Sequence, residues 1–465
     1  MLFSTSVFLF GFLPAVLFIY YVFLRKSRKG QNIFLTLASL FFYAWGEPIF
    51  VLIMIGSILG NWAFALWIDK VREDKKLVRL AMTLMVAMNM SIFFVFKYLM
   101  FTLENINFIF NSNITIPNIV LPIGISFFTF QAMSYVIDVF RKHGDVQKNP
   151  MNVALYIAFF PQLIAGPIVR YETVADQIHN RKETFDDFSE GVTRFVVGLM
   201  KKMLLANTLA VVSDKAFAAE NPSVLFAWIG AAAYTFQIYY DFSGYSDMGI
   251  GLGKMFGFHF LENFDYPYVS KSITEFWRRW HMSLGTWFRD YVYFPIGGSR
   301  VDTKARLVFN LFVVWFLTGV WHGANWTFVV WGLMYFFLIT IEKLTGFSKK
   351  LGFFGHIYTL FFVVIGWVIF KAESLPAAFT YLGNMIGIGS NGLMDINFKF
   401  YSKENVYFFI FAAVFSFPIA QYINAKFGEN KLVSAMYPVV ITVVFVLALT
   451  YVIKGSYNPF IYFNF

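Results

Sequence analysis

One histidine, His322, stands in the apolar run NLFVVWFLTGVWHGANWTFVVWG, with no charged residue between Arg306 and Glu342. An ionisable group inside a run of membrane length is costly to bury and marks a functional site by default. Burial favours the neutral imidazole, and a neutral imidazole suits the role of general base toward a hydroxyl nucleophile. Helical spacing puts Thr318, His322, Asn325 and Val329 on one face, so that two small polar groups would orient the ring. Gly319 and Gly323 beside it would admit a close backbone or a substrate. The competing reading is a core histidine satisfied by a backbone carbonyl.

A second histidine, His281, lies upstream in SITEFWRRWHMSLGTWFRDYVYFPIGGSR. Read as one helix over 273–290, that stretch gathers Ile273, Phe276, Trp277, Trp280, Leu284, Trp287 and Phe288 into a stripe roughly 120° wide. Glu275, Arg278, Arg279, Thr286, Arg289 and Asp290 take the other side, and His281 falls at the margin. Aromatic on one face and arginine-rich on the other, it has the pattern of a helix in the membrane interface. Arg278 and Arg279 are candidate contacts for donor phosphates or for headgroups, with plain solvated charge as the alternative. Weaker candidates for substrate contact are Trp321 and Asn325 beside His322, and Gln237 and Asp241, which share a helix face in YTFQIYYDFSGYSDMGIGLG. The glycines after Asp247 do not complete a dinucleotide fingerprint, and Gly244-Tyr-Ser-Asp-Met is no nucleophile elbow. No histidines are spaced i, i+4, so no metal centre is expected.

The elements that must position these residues are membrane helices. Of 465 residues 58% are apolar and only 14% charged, more apolar surface than a soluble domain can bury. The expected class is all-α and polytopic, one integral-membrane domain over 1–465 with 11 to 13 membrane segments, a few of them re-entrant or interfacial. Candidate spans begin with 2–24, too long and too poor in basic residues for a removable leader, and include 119–140, 152–168, 191–212, 224–245, 307–321 and 326–341. Residues 170–190 are the most polar stretch and are expected as a solvated loop. Basic residues crowd the loops after Leu24 and Lys70, while 100–118 has none, which places the N-terminus outside the cytoplasm. The net charge of +10 then belongs to cytoplasmic loops and anionic headgroups, not to nucleic acid. Cysteine is absent, excluding disulfides and thiolate chemistry.

Several long stretches resemble membrane-bound O-acyltransferases, in particular the bacterial branch of alginate and peptidoglycan O-acetyltransferase membrane subunits. They are LPIGISFFTFQAMSYVIDVFR from Leu121, AFFPQLIAGPIVRY from Ala158, QIYYDFSGYSDMGIGLGKMFGF from Gln237, ENFDYPYVSKSITEFWRRWHMSLGTWFRDYVYFPIGG from Glu262, LTGVWHGANWTFVVWG from Leu317 and the terminal PFIYFNF from Pro459. The resemblance implies helices around a central funnel or tunnel, with short interfacial helices. It implies that His322 of the WHG motif is catalytic and that His281 of WRRWH is the second active-site residue. It further implies a cytoplasmic thioester donor, acetyl-CoA above all, with no permanently bound cofactor. The implied partner is an extracytoplasmic esterase-like protein that hands the acetyl group to a polysaccharide, and the implied location is the bacterial cytoplasmic membrane. D-alanyl transfer to teichoic acid and lipid acylation are the alternatives within the superfamily. A polytopic transporter is the alternative outside it, disfavoured because no inverted repeat is visible.

Overall fold

The structure is a computed structural model, describing residues 1–455, 457–459 and 461. It is helical throughout, with no strand among the described residues. By packing, the chain falls into two compact units. One comprises Met1–Phe195 with Ser246–Leu261; the other comprises Val196–Tyr245 and everything from Glu262 onward.

Seven helices among the described residues are long and apolar enough to cross a membrane, or eight if the pair Ile396–Phe415 and Ile419–Phe427, bent by 61°, counts as one span. The protein is therefore a multi-pass membrane protein. The count is lower than the 11 to 13 segments expected because several of those segments form shorter helices. The N-terminal apolar run is the short helix Phe8–Phe23, and 152–168 is split into Pro150–Ala158 and Phe160–Leu163. Ile125–Arg141 carries Thr129, Gln131, Ser134 and Asp138, all buried in protein, so its composition departs from that of a lipid-facing span.

In the first unit the polar stretch 170–190 is largely solvated, with only Tyr171, Val174, Ile178 and Arg181 buried, but it is not a plain loop. It carries two short helices, Tyr171–Val174 and Gln177–Asn180, and the start of Phe185–Met200. The Arg181 guanidinium that follows is buried, donating to Asn32 Oδ1 at 2.7 Å and to Tyr20 Oη at 3.2 Å. Arg28 forks onto the Glu183 carboxylate with both terminal nitrogens. A buried cation is tolerable only when hydrogen-bonded and paired, and a count of charges along a sequence cannot reveal that pairing.

The second unit holds both His281 and His322. Its core is aromatic, including Phe242, Phe276, Trp280, Trp331, Tyr335 and Phe370. Lys304–His322 and Trp326–Thr345 form a hairpin. They approach at glycines: a Cβ on Gly319 would lie 2.5 Å from the Phe328 carbonyl oxygen, and one on Gly332 2.6 Å from that of Trp315. Gly323 is likewise filled by protein, since a Cβ there would overlap the Phe328 ring at 2.2 Å. What these glycines admit is the neighbouring helix and its phenylalanine.

Candidate active site

The stretch predicted as one helix over 273–290 is broken. Ile273–Arg279 and Met282–Phe288 are separate helices, and Arg289–Tyr293 continues as a π-turn. The break falls at His281, whose φ of 45° and ψ of 51° put it in the left-handed region that only Gly, Asn, Asp and His visit with any frequency. The apolar stripe survives the break, because Ile273, Phe276, Trp280, Leu284, Trp287 and Phe288 are all buried. His281 is not marginal; it is 2% exposed.

Two anchors hold this turn. Upstream, Glu342 of the hairpin caps the first helix, its carboxylate accepting from Ile273 N at 2.7 Å, Thr274 N at 2.9 Å and Thr274 Oγ1 at 2.6 Å. A carboxylate at a helix N-terminus meets unsatisfied amides and the positive end of the dipole together. At the break itself the anchor is Asn263, 1% exposed. Its main-chain oxygen accepts from Met282 N at 2.9 Å, and its Oδ1 faces Ser283 N, Ser283 Oγ and His281 Nδ1 at 3.2, 2.8 and 3.1 Å. Glu342, Asn263 and Ser283 escaped the sequence reading. Ser283 stands two residues from a candidate histidine, which is a weak signal, and the other two are visible only in space.

His322 is the last residue of its helix, 6% exposed. Three rings stand edge-on around the imidazole: Trp321 at 5.0 Å, Trp331 at 4.9 Å and Phe370 at 5.2 Å between centroids, with interplanar angles of 79–80°. Trp321 is also 6.1 Å from the His281 ring, so one indole neighbours both imidazoles. The Phe242 ring meets His281 from another side at 4.5 Å. A cleft of about 210 Å³ is lined by His281, Arg278, Trp277, Trp315 and Thr318 among others. His322 is not among its lining residues.

The remaining candidates separate. Asn325 lies beyond the end of the His322 helix and caps the next one, its Oδ1 accepting from Thr327 N at 3.0 Å and its amide donating to Glu373 O at 2.9 Å. It does not share a helix face with His322, and Thr318 spends its hydroxyl proton on Val314 O at 2.7 Å. Asp241 pairs with Lys202 at 2.6 Å, both side chains buried, and accepts from Ile461 N at 3.0 Å. Gln237 is buried one turn earlier, its Oε1 without a hydrogen-bond partner among the described residues. Arg279 is engaged by Asp265 at 2.9 Å and Glu275 at 3.1 Å, which leaves exposed Arg278 as the arginine at the cleft. Among the described residues one group with metal-ligand atoms close together, Asp138, His143 and Glu172, lies in the first unit, where Arg170 pairs with Glu172 at 2.8 Å. The expected PFIYFNF end falls largely outside the described residues, since Phe460 and 462–465 are not among them.

The hairpin, the broken helix, Asn263 and both histidines lie inside residues 138–377, which match the model of the membrane-bound O-acyltransferase family. That match covers more than half of the chain. The chain belongs to this family. It is an O-acyltransferase. Its relatives include a probable alginate O-acetylase of Pseudomonas putida, 39% identical over 100% of both chains. Another, from Pseudomonas syringae pv. tomato, is 44% identical over 85% of this chain and 77% of its own. A peptidoglycan O-acetyltransferase of Helicobacter pylori is 34% identical over 85% of this chain and 82% of its own.

Proposed function

We propose that this O-acyltransferase takes an acetyl group from a cytoplasmic thioester, acetyl-CoA, and sends it toward the hydroxyls of an extracytoplasmic polysaccharide. The observation that carries the reading is the likeness, over the full length of both chains, to a probable alginate O-acetylase. The acceptor oxygen attacks the thioester carbonyl carbon as the His322 imidazole removes the hydroxyl proton. The new C–O bond forms, the C–S bond breaks, and the thiolate leaves with the proton returned by the imidazolium. Aromatic walls suit this step by keeping water, the competing nucleophile, away from the thioester. Arg278 at the cleft is the proposed contact for the donor's phosphates. An esterase-like protein outside the membrane is the proposed carrier to the final polymer, and the bacterial cytoplasmic membrane the proposed location.

Membranes containing the protein, given acetyl-labelled acetyl-CoA with and without polysaccharide, test the reading. Covalent label on polymer or on an added carrier protein is expected. Turnover with a D-alanyl-loaded carrier protein in place of acetyl-CoA would replace this reading with D-alanyl transfer. For orientation, a cysteine at exposed Asn113 should react with an impermeant reagent from outside cells, and one at exposed Lys26 should not. The chain has no cysteine of its own to confuse the result.

A further inference from the structure

The hydrogen bonds around Asn263 account for the protons of His281. Ser283 N is a backbone donor that cannot accept, and it faces Asn263 Oδ1 at 3.2 Å, which fixes that end of the amide as oxygen. The Ser283 hydroxyl lies 2.8 Å from the same oxygen, so its single proton is directed there. His281 Nδ1 then faces two acceptors, Asn263 Oδ1 at 3.1 Å and Ser283 Oγ at 3.4 Å, and must itself carry a hydrogen.

We propose that Asn263 is a positioning residue that fixes His281 as the neutral Nδ1–H tautomer, making Nε2 the nitrogen that accepts an O–H or N–H of the substrate during acyl transfer. The functional half of this proposal rests on the transfer reading above; the tautomer does not. Burial supports the neutral form, pulling the imidazole down to about 3 from its ordinary value. The left-handed backbone at His281 supports the geometry, because Met282 N, bonded to Asn263 O at 2.9 Å, leaves the turn little freedom to rotate the ring away. Asp265 N, bonded to Arg279 O at 2.9 Å, ties the same two segments on the other side of the break. Orienting a histidine through one nitrogen so that the other can work is a general device of sites that move protons.

The tautomer can be read without any turnover. The chain has six histidines, so nitrogen NMR of protein labelled at both ring nitrogens, with His281→Gln for assignment, isolates the His281 pair. Protonated Nδ1 and unprotonated Nε2 at neutral pH are expected; an Nε2–H tautomer or an imidazolium would overturn the proposal. Asn263→Leu removes the acceptor and should cut acetyl transfer by on the order of tenfold or more, while Asn263→Asp keeps an acceptor oxygen and should hold both the tautomer and most of the rate. Wild-type transfer in Asn263→Leu would refute the positioning role. Should Asn263→Leu fail to fold, the wild-type spectrum and Asn263→Asp still decide: loss of the Nδ1–H signal or of the rate in Asn263→Asp counts against it. A wild-type protein that shows the Nδ1–H tautomer yet never uses acetyl-CoA would remove the functional reading and leave the tautomer standing.

Discussion

Around His281 the ring is set by hydrogen bonds, from Asn263 and within the turn that Ser283 completes. Around His322 the visible frame is three aromatic edges and the end of a helix. Both imidazoles are nearly dry, at 2% and 6% exposed. The difference lies in what is left behind when each is removed. Deleting the His281 ring removes one hydrogen bond from Asn263 Oδ1, which still accepts from Ser283 N and Ser283 Oγ, whereas deleting the His322 ring removes packing against three aromatic edges. A hydrogen bond lost in this way costs about 0.5–1.5 kcal/mol. The two histidines should therefore part company when stability and turnover are measured separately.

The largest effect expected is on turnover at His322. His322→Ala should lower transfer by about 10²–10⁴-fold, the usual contribution of a general base, with near-normal accumulation in membranes. Wild-type transfer from a well-accumulated variant would end the comparison. Next comes the hairpin that carries it: Gly319→Leu drives a side chain into the Phe328 carbonyl, and overpacking of this kind costs about 1–3 kcal/mol. Detergent melting should register that loss, and an unchanged midpoint would mean that the helices do not meet at Gly319.

His281→Ala should lose about 0.5–1.5 kcal/mol in the same melting assay, through the lost hydrogen bond to Asn263. It should lower transfer as well. His281 also predicts an acid dependence. Its folded-state value of about 3 lies below the ordinary one, so the unfolded chain binds the extra proton first as pH falls. The stability held by the neutral ring is complete above the ordinary histidine range and is lost as pH drops toward 3. His281→Asn, which tolerates the left-handed backbone, should flatten that part of the pH–stability curve. An unaltered curve would count against a neutral buried ring. The smallest effect expected is at Arg279, whose pairs with Asp265 and Glu275 are partly exposed; Arg279→Gln should cost about 0–1 kcal/mol.

The sequence carried the helical membrane class, the amphipathic stripe and the two histidines, because each leaves a local trace: hydropathy, period and an ionisable group in an apolar run. The stripe held even though the helix did not, since Trp280 and Leu284 are buried on both sides of the break. The break depends on Asn263, eighteen residues upstream, and periodicity has no term for a distant partner. The shared face of Thr318, His322 and Asn325 failed for a reason that was legible: an asparagine just before Trp326-Thr327 is an N-cap signal, and Gly323 already ends the preceding helix. For Asp241 the sequence leaves open a tunnel-lining carboxylate or a bond to a neighbouring helix, and the structure shows the second, a pair with Lys202. Nothing local says that the two meet.

Glu342 also bears on how the protein is made. The amides of Ile273 and Thr274 wait for a carboxylate that lies 69 and 68 residues further along the chain. During synthesis the broken helix emerges first, with the positive end of its dipole uncapped by this residue. Only after the second limb of the hairpin has been made and inserted can the first limb of the turn be locked in place. The His281 turn is thus among the late pieces of this unit to mature, and a nascent chain stalled before Glu342 would carry both histidines without the clamp that seats one of them.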